Sequence, residues 1–383
     1  MPFRSTDPPM ERARLVAAHL DGLYSVAELA DRFGVSRPTV YKWIERHREG
    51  GAEALLDRSR ARLTQHARTD PEAERLIVEA RRAHPTWGAR KLLRYLAPRH
   101  PEVDRWPAPS TAAAVLARHG LTERRRPRRP PRHPGSTPLR TAAPNDVWAA
   151  DYKGQFRVGD GELCYPLTVT DAHTRYVLSC QALPSVEQYA ALRQFEALFR
   201  EFGLPAAIRS DNGTPFATQA LCGLSRLSVW WIKLGIDHQR IDPGRPQQNG
   251  AHERMHKTLK AETARPPERD MGAQQRRFDA WRAEFNEDRP HEALDYATPA
   301  SVYTPSRRPM PAALPGPEYP GHFEVRYLSK DGNVRFKTRQ IFVSQTLGHE
   351  HIGLEETADG VWDLYFFDRL LARLDERTWE LSA

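Results

Sequence analysis

The sequence predicts a multidomain chain: N-terminal all-α modules of the helix-turn-helix kind, a central α/β domain and a small C-terminal β-barrel. Three observations carry that division. Apolar residues recur at helical spacing through the first 121 residues and turn to an α/β pattern beyond residue 145. Between the two lies an abrupt run of arginine and proline, Glu123-Arg-Arg-Arg-Pro-Arg-Arg-Pro-Pro-Arg-His-Pro134. A second proline-rich stretch, from Pro305 to Pro320, precedes a series of short β-prone runs. The expected boundaries are 1–60 and 61–121 for two helical modules, 122–144 for a basic linker, 145–304 for the α/β domain, 305–320 for a second linker and 321–383 for the barrel.

Val26-Ala-Glu-Leu-Ala-Asp-Arg-Phe33 spaces its apolar residues for a helix, and Ser25 stands three residues before Glu28, as in a capping box. Gly34 supplies a turn, and Ser36 caps a second helix with apolar positions Val40, Trp43 and Ile44. Arg37, Thr39, Lys42 and Arg46 are then left on its outward side, where a recognition helix meets the major groove of double-stranded DNA. A plain helical hairpin with a solvated charged face is the bland alternative. Residues 70–121 repeat the theme in three helices, around 74–82, 87–96 and 110–121. They read as a second helix-turn-helix module or as a three-helix spacer.

The 383 residues carry a net charge of +8. The first 121 hold 21 Lys/Arg against 15 Asp/Glu, and residues 122–144 hold seven Arg against one Glu, whereas the remainder holds 29 basic and 33 acidic residues. The positive field therefore belongs to the N-terminal third, as expected of a DNA-tethered enzyme whose chemistry uses carboxylates. The basic linker cannot bury a core. Its Arg124, Arg125, Arg126, Arg128 and Arg129 are placed to track phosphates, although a solvated spacer would read the same way. No apolar run is long enough for a membrane span, and the first residues lack the apolar stretch of a secretory signal. A cytoplasmic protein is expected, in a bacterium and on the nucleoid when bound to DNA. Cys164, Cys180 and Cys222 lack CxxC spacing and read as buried reduced thiols.

In the central domain, strands are expected over 147–158, 163–170 and 176–183, then a helix over 186–202, strands over 207–210 and 236–241, and helices near 247–264 and 274–286. Three antiparallel strands followed by alternating helices and strands is the order of a ribonuclease-H-like fold, although periodicity alone leaves other α/β topologies open. Five short β runs after residue 322 have the spacing of a small SH3-like barrel.

Asp151 falls in the first strand, Asp211 ends the fourth in Arg209-Ser-Asp-Asn-Gly213, and Glu253 lies early on the helix after Pro246-Gln-Gln-Asn-Gly250. Phosphodiester chemistry needs an activated oxygen nucleophile and relief of charge on the leaving oxygen. Two divalent ions about 4 Å apart can supply both, and hard cations such as Mg2+ take carboxylate oxygens. One carboxylate shared between the ions, with one more on each, is the minimal protein contribution. Spacing alone is weak support, because 33 acidic residues follow the linker.

Local sequence adds to it. Trp148-Ala-Ala-Asp151, Arg209-Ser-Asp-Asn-Gly213, Pro246-Gln-Gln-Asn-Gly-Ala-His-Glu-Arg254, and Asn286-Glu-Asp-Arg-Pro-His-Glu-Ala-Leu294 followed by Thr298-Pro-Ala300 resemble the core of insertion-sequence transposases in the retroviral-integrase superfamily. With the helix-turn-helix start and the Leu224–Gly235 stretch, the likeness is greatest to insertion-sequence family 481. The resemblance implies a ribonuclease-H-like core in which Asp151, Asp211 and Glu253 are catalytic and hold two Mg2+ ions, with Mn2+ as a substitute. It implies that Lys257 and Lys260 approach the DNA end, and that the chain binds transposon ends and target DNA as a homo-oligomer. The activity implied is 3′-end cleavage and strand transfer at terminal inverted repeats. Two departures stand out: a longer Asp211–Glu253 interval than in retroviral integrases, and helix-turn-helix modules in place of a zinc-binding N-terminal domain.

His252-Glu-Arg-Met-His256 also satisfies H-E-x-x-H, in which two histidines hold zinc and the glutamate is the base. The charge of Arg254 and the basic, polar helix argue against it, and both histidines are expected on the helix surface beside the site. A catalytically silent DNA-binding regulator, or a domesticated remnant of such a transposase, is the alternative to an active enzyme.

Overall fold

The computed structural model describes residues 7–58, 69–122, 141–218, 223–241 and 250–382. The chain divides into two compact units, 1–68 and 69–383. In the first, α1 (Pro8–Leu20), α2 (Val26–Phe33) and α3 (Arg37–Gly50) enclose Leu15, Val16, Leu29, Val40 and Leu55. Ser25 and Glu28 form the expected capping box, and Gly34 closes α2 in the left-handed region at φ +63°. Ser36 stands at the N-cap of α3, but its hydroxyl pairs with the Thr39 hydroxyl at 2.9 Å instead of capping the helix. Sequence reasoning missed α1, which supplies two of the buried residues.

The second unit begins with α4 (Pro71–Ala83), α5 (Ala89–Leu96) and α6 (Pro109–Arg118), packed around Ile77, Trp87, Leu92 and Val115. The central sheet follows. β1 (Val147–Tyr152) lies between β3 (Leu163–Asp171), antiparallel to it, and β5 (Ala207–Ser210), parallel to it. β4 (Val177–Leu183) pairs with β3, and β6 (Asp237–Arg240) pairs with β5 in parallel. The lateral order β4-β3-β1-β5-β6 is the one a ribonuclease-H-like fold requires. The strand expected over 147–158 is broken: Lys153–Gln155 leave the ladder, Gly154 takes φ +25°, and β2 (Phe156–Arg157) resumes along β3.

Helices cover both faces of the sheet. Phe195, Phe199 and Leu198 of α7 (Gln188–Phe202) join Leu227 and Trp231 of α8 (Arg226–Lys233) against Trp148, Val169 and Ile208. Met255 and Leu259 of α9 (Gly250–Thr263) and Phe278 and Trp281 of α10 (Met271–Ala283) join Cys164, Val177 and Cys180. Cys164 and Cys180 are thus buried free thiols; Cys222 lies outside the described residues. No helix among the described residues is long and apolar enough to cross a membrane.

The C-terminal region is an antiparallel sheet of β7 (Glu324–Tyr327), β10 (His351–Ala358), β11 (Val361–Phe366), β12 (Arg369–Asp375) and β13 (Glu380–Ser382), beside a hairpin of β8 (Asn333–Phe336) and β9 (Arg339–Phe342). β10 and β13 were not anticipated. This sheet shares a core with Val229 and Ile232 of α8, and Lys233 pairs with Glu350 at 2.7 Å. The proline-rich stretch before it is pinned to the central domain. Arg308 donates to the carbonyls of Pro205, Leu234 and Gly235, and its own carbonyl accepts from Leu204 at 2.7 Å.

The Asn286–Leu294 run has two structural tasks. Asn286 pairs with both backbone groups of Val177, accepting at 2.8 Å and donating at 3.0 Å, like one more strand residue beside β4. Arg289, 7% exposed in its side chain, pairs with Glu262 on α9 at 3.1 Å, and Glu262 also accepts from Trp281 at 2.7 Å and from Thr86. His84 to Glu284 at 3.0 Å and Arg99 to Asp288 at 2.5 Å extend this seam between the α4–α6 bundle and the central domain. Removing one partner of a largely buried ion pair leaves the other charge uncompensated. Arg289→Ala is expected to cost about 3 kcal/mol and to raise amide exchange across α4 and α5, read by hydrogen-exchange mass spectrometry. Unchanged exchange in those helices would contradict the coupling.

Candidate active site

β1 is covered on both faces of the sheet, and Asp151 lies one residue before its end, with its side chain 23% exposed. Burial is the main reason its carboxyl is pushed up from 3.8 to about 7. The negative charges of Asp211 and Glu253 push in the same direction, against Lys153 and a hydrogen bond from the Tyr152 backbone. The two acids that repel Asp151 are the ones expected to share its site. The fold brings both within electrostatic reach of Asp151.

Asp211 follows β5 in a turn held from several sides. Ser210 Oγ donates to the Asp211 carbonyl at 2.9 Å, and Asn212 donates to the Ile241 carbonyl just beyond β6 at 2.8 Å. The Gly213 N–H donates to Asp211 Oδ1 at 3.1 Å, and a Cβ at Gly213 would stand 3.1 Å from Oδ2. Glycine there leaves the carboxylate its room. Glu253 occupies the first turn of α9, exposed, with Lys257 and Lys260 also exposed one and two turns on. Lys260 and Lys153 line one small cleft of about 60 Å³ with Gly154 and Thr263. Sequence reasoning missed Lys153. Its signal was its place two residues after Asp151, where the strand breaks.

His252 and His256 are not on the helix surface: both are buried, at 3% and 2% exposure. The face of α9 that carries Met255 and Leu259 also carries the two rings, and it packs on the sheet. Threonines on β3 satisfy them. Thr168 Oγ1 lies 2.8 Å from His252 Nε2 and 2.6 Å from His256 Nε2, and Thr170 Oγ1 lies 2.8 Å from His252 Nδ1. His256 Nδ1 faces Asp151 Oδ2 at 3.5 Å. Burial pushes His252 down to about 3 and His256 downward as well, so both rings are neutral.

Asp151, His252 and His256 each offer a ligand atom within 4.8 Å of the others. A transition metal would favour such a set, but both nitrogens of His252 and one of His256 already meet threonine hydroxyls. The carboxylates are different: clustered negative charge that raises one member to about 7 is relieved by a hard divalent cation. The donor chemistry fits Mg2+ on the acids better than zinc on the rings.

On α3, Arg37 and Lys42 are exposed, whereas Thr39 is half-buried against Ser36. Arg46 is also half-buried, its guanidinium 4.7 Å from the Trp43 ring centre, where Arg12 stacks too at 4.1 Å. Tyr41, 60% exposed beside Lys42, was absent from the sequence-based set. Arg124, Arg125, Arg126, Arg128, Arg129 and the Pro246–Asn249 part of the motif lie outside the described residues. A cleft of about 840 Å³ lies between the end of α8, the proline-rich stretch and the C-terminal sheet, and none of the expected site residues lines it.

Sequence profiles of an integrase core domain match residues 141–246 and 234–299. A helix-turn-helix domain profile matches 11–62, and a homeodomain-like profile matches 39–116. The chain is 29% identical over 159 residues to the 31.7 kDa protein of insertion element IS407 from Burkholderia multivorans, covering 41% of this chain and 55% of that one. It is 28% identical over 227 residues to the 39.2 kDa protein of insertion element IS476 from Xanthomonas euvesicatoria, covering 58% and 62%. It thus spans about three-fifths of the length of these relatives. The Gag-Pol polyprotein of avian reticuloendotheliosis virus is 32% identical over 144 residues, 35% of this chain and 12% of that one. Among solved structures, a simian T-cell lymphotropic virus intasome aligns over 69% of this chain and 90% of its own, at 18% identity and a TM-score of 0.39. The HTLV-2 integrase catalytic core with magnesium aligns over 43% and 99%, at 15% identity and 0.34.

A carboxyl held near 7 is favoured in its protonated form, so its contribution to stability is full below pH 4 and is lost as the pH rises through 7. Asp151→Asn removes the charge. In chelator at pH 8 it is expected to stabilise the protein by about 2–4 kcal/mol, with the gain vanishing near pH 4, as read from melting curves at both pH values. Equal stability of the two proteins at pH 8 would contradict the electrostatic account of the site.

Proposed function

From an integrase core and a helix-turn-helix domain joined in one chain, we propose a DNA transposase that binds the terminal inverted repeats of an insertion sequence, cleaves their 3′ ends and joins them to target DNA. The observation that carries the reading is the match of an integrase core over residues 141–246 and 234–299, with Asp151 on β1 within electrostatic reach of Asp211 and Glu253. In this reading Asp151, Asp211 and Glu253 would hold two Mg2+ ions, or Mn2+ in their place. Bound there, the metal supplies an activated oxygen nucleophile and charge relief for the leaving oxygen. Asp211 is kept ready by the Gly213 turn, and Glu253 arrives on the exposed side of α9. In this reading Lys153, whose charge reaches Asp151, and Lys257 and Lys260, one and two turns beyond Glu253 on α9, hold DNA phosphates beside the acids.

Of the cations expected to meet the groove, Arg37 and Lys42 face solvent, and Tyr41 beside Lys42 reaches a base edge or sugar. The basic linker follows the DNA backbone, and the C-terminal sheet with its hairpin is a small SH3-like barrel. Pairing two transposon ends calls for a multimer on DNA.

Asp151→Asn is expected to abolish Mg2+-dependent joining of oligonucleotides that carry the element's end, while band-shift affinity for that end is retained. Joining by the variant would refute the active-site assignment. Arg37→Ala should weaken end binding and reduce the slope of log affinity against log salt by about 1; an unchanged slope would remove Arg37 from the phosphate contacts.

A further inference from the structure

The buried side of α9 carries polar groups that the proposed chemistry does not use. His252 and His256 stack edge to face, ring centres 4.5 Å apart, over Thr168 and Thr170 of β3. A buried imidazole pair costs desolvation unless each nitrogen is partnered, and a leucine pair would pack there without that cost. The partners, followed in order, lead to Asp151. We propose that His256, backed by Thr168 and His252, is a positioning residue that fixes the orientation of the Asp151 carboxylate. The inference rests on the reading of Asp151 as a metal-holding group.

The direction of each hydrogen bond follows from counting protons. His256 Nδ1 stands 3.5 Å from Asp151 Oδ2, longer than a normal hydrogen bond; a carboxylate ionised by a bound cation attracts a ring N–H there, so Nδ1 carries the hydrogen. A neutral His256 then has a bare Nε2, which accepts from the Thr168 hydroxyl at 2.6 Å. With its proton spent, Thr168 Oγ1 accepts from His252 Nε2–H at 2.8 Å. His252 Nδ1 is then bare and accepts from Thr170 Oγ1–H at 2.8 Å. Every link donates once and accepts once. Thr168 Oγ1 also donates to the Asp151 carbonyl at 3.1 Å, so its one proton is shared between that carbonyl and His256 Nε2, with the shorter contact to the ring.

Two consequences follow for the site. The ring N–H faces one carboxylate oxygen at 3.5 Å, which disfavours rotation of a group that must present both oxygens in fixed directions. His252 also precedes Glu253 on α9, so the same chain ties the helix bearing one acid to the strands beneath the other.

The test is Mn2+ binding to the full-length protein, by calorimetry and by the spin resonance of the bound ion. His256→Leu is expected to weaken binding by about tenfold to a hundredfold, the usual cost of removing a group behind a metal ligand. The amide nitrogen of asparagine falls where Nδ1 lies and that of glutamine where Nε2 lies. His256→Asn should therefore recover most of the loss, whereas His256→Gln should not. Equal affinities for the two amides, or wild-type affinity in His256→Leu, would overturn the proposal. Nitrogen-15 spectra of the histidine rings give a second reading on the wild type, which decides if a variant fails to fold. With Mg2+ present, His256 should be the Nδ1–H tautomer and His252 the Nε2–H tautomer, and the reverse assignment would overturn the chain. No Mn2+ binding by the wild type, or undiminished binding by Asp151→Asn, would instead overturn the metal reading, while the ring tautomers still judge the hydrogen-bond chain.

Discussion

The charge of Asp151 is held where water reaches it from one side only. Its strand has neighbours on both edges and helices on both faces, and two further acids add to the cost of ionising it. Much of the surrounding architecture answers to that constraint. The break in the strand after Tyr152 puts Lys153 nearby, and the turn after β5 shapes itself around Asp211. On the third side, α9 presents its histidines inward to β3 and its acid and lysines outward. A like-charge cluster assembled this way is destabilising for the isolated fold. It is tolerable in a protein whose working state includes a cation.

In the second unit polar contacts join the helical bundle to the central domain, whereas the C-terminal sheet shares an apolar core with α8. Glu262, on the last turn of α9, gathers Thr86 from the helical bundle, Trp281 from α10 and Arg289 from the turn beyond it. On the far side, Arg308 pins the proline-rich stretch to three carbonyls of the central domain. Such contacts are directional, and they fix orientation better than apolar packing does. Movements of the helical bundle would therefore reach the helix that carries Glu253 through Glu262.

Features set by neighbours in sequence are legible in the residues alone. The capping box at Ser25 and Glu28 and the turn at Ser210-Asp-Asn-Gly213 depend on residues within one or two turns of each other, whereas the strand order of the central domain pairs residues 60 apart and periodicity alone leaves it open. The histidines show the limit. Their i, i+4 spacing says that they share a helix face but not which face, and the partners that decide it, Thr168 and Thr170, lie more than 80 residues away. Met255 and Leu259 on the same stripe were the available signal. β10 was missed because Gly353 and a Glu-Glu pair interrupt its alternation, although its register with β7 and β11 needs none. The seam around Arg289 was invisible for the same reason as the histidines. Its meaning lies in Glu262 and Trp87, which no local pattern connects to it.

The acids and the rings offer rival addresses for a cation, and direct location of one decides between them. Crystals of the full-length protein grown with Mn2+, measured at the manganese absorption edge, would give an anomalous map of the ion positions. Peaks bounded by the carboxylates of Asp151, Asp211 and Glu253, with His252 and His256 still on their threonines, are the predicted result. A peak on the imidazole nitrogens, or none near Asp151 at saturating Mn2+, would contradict the account.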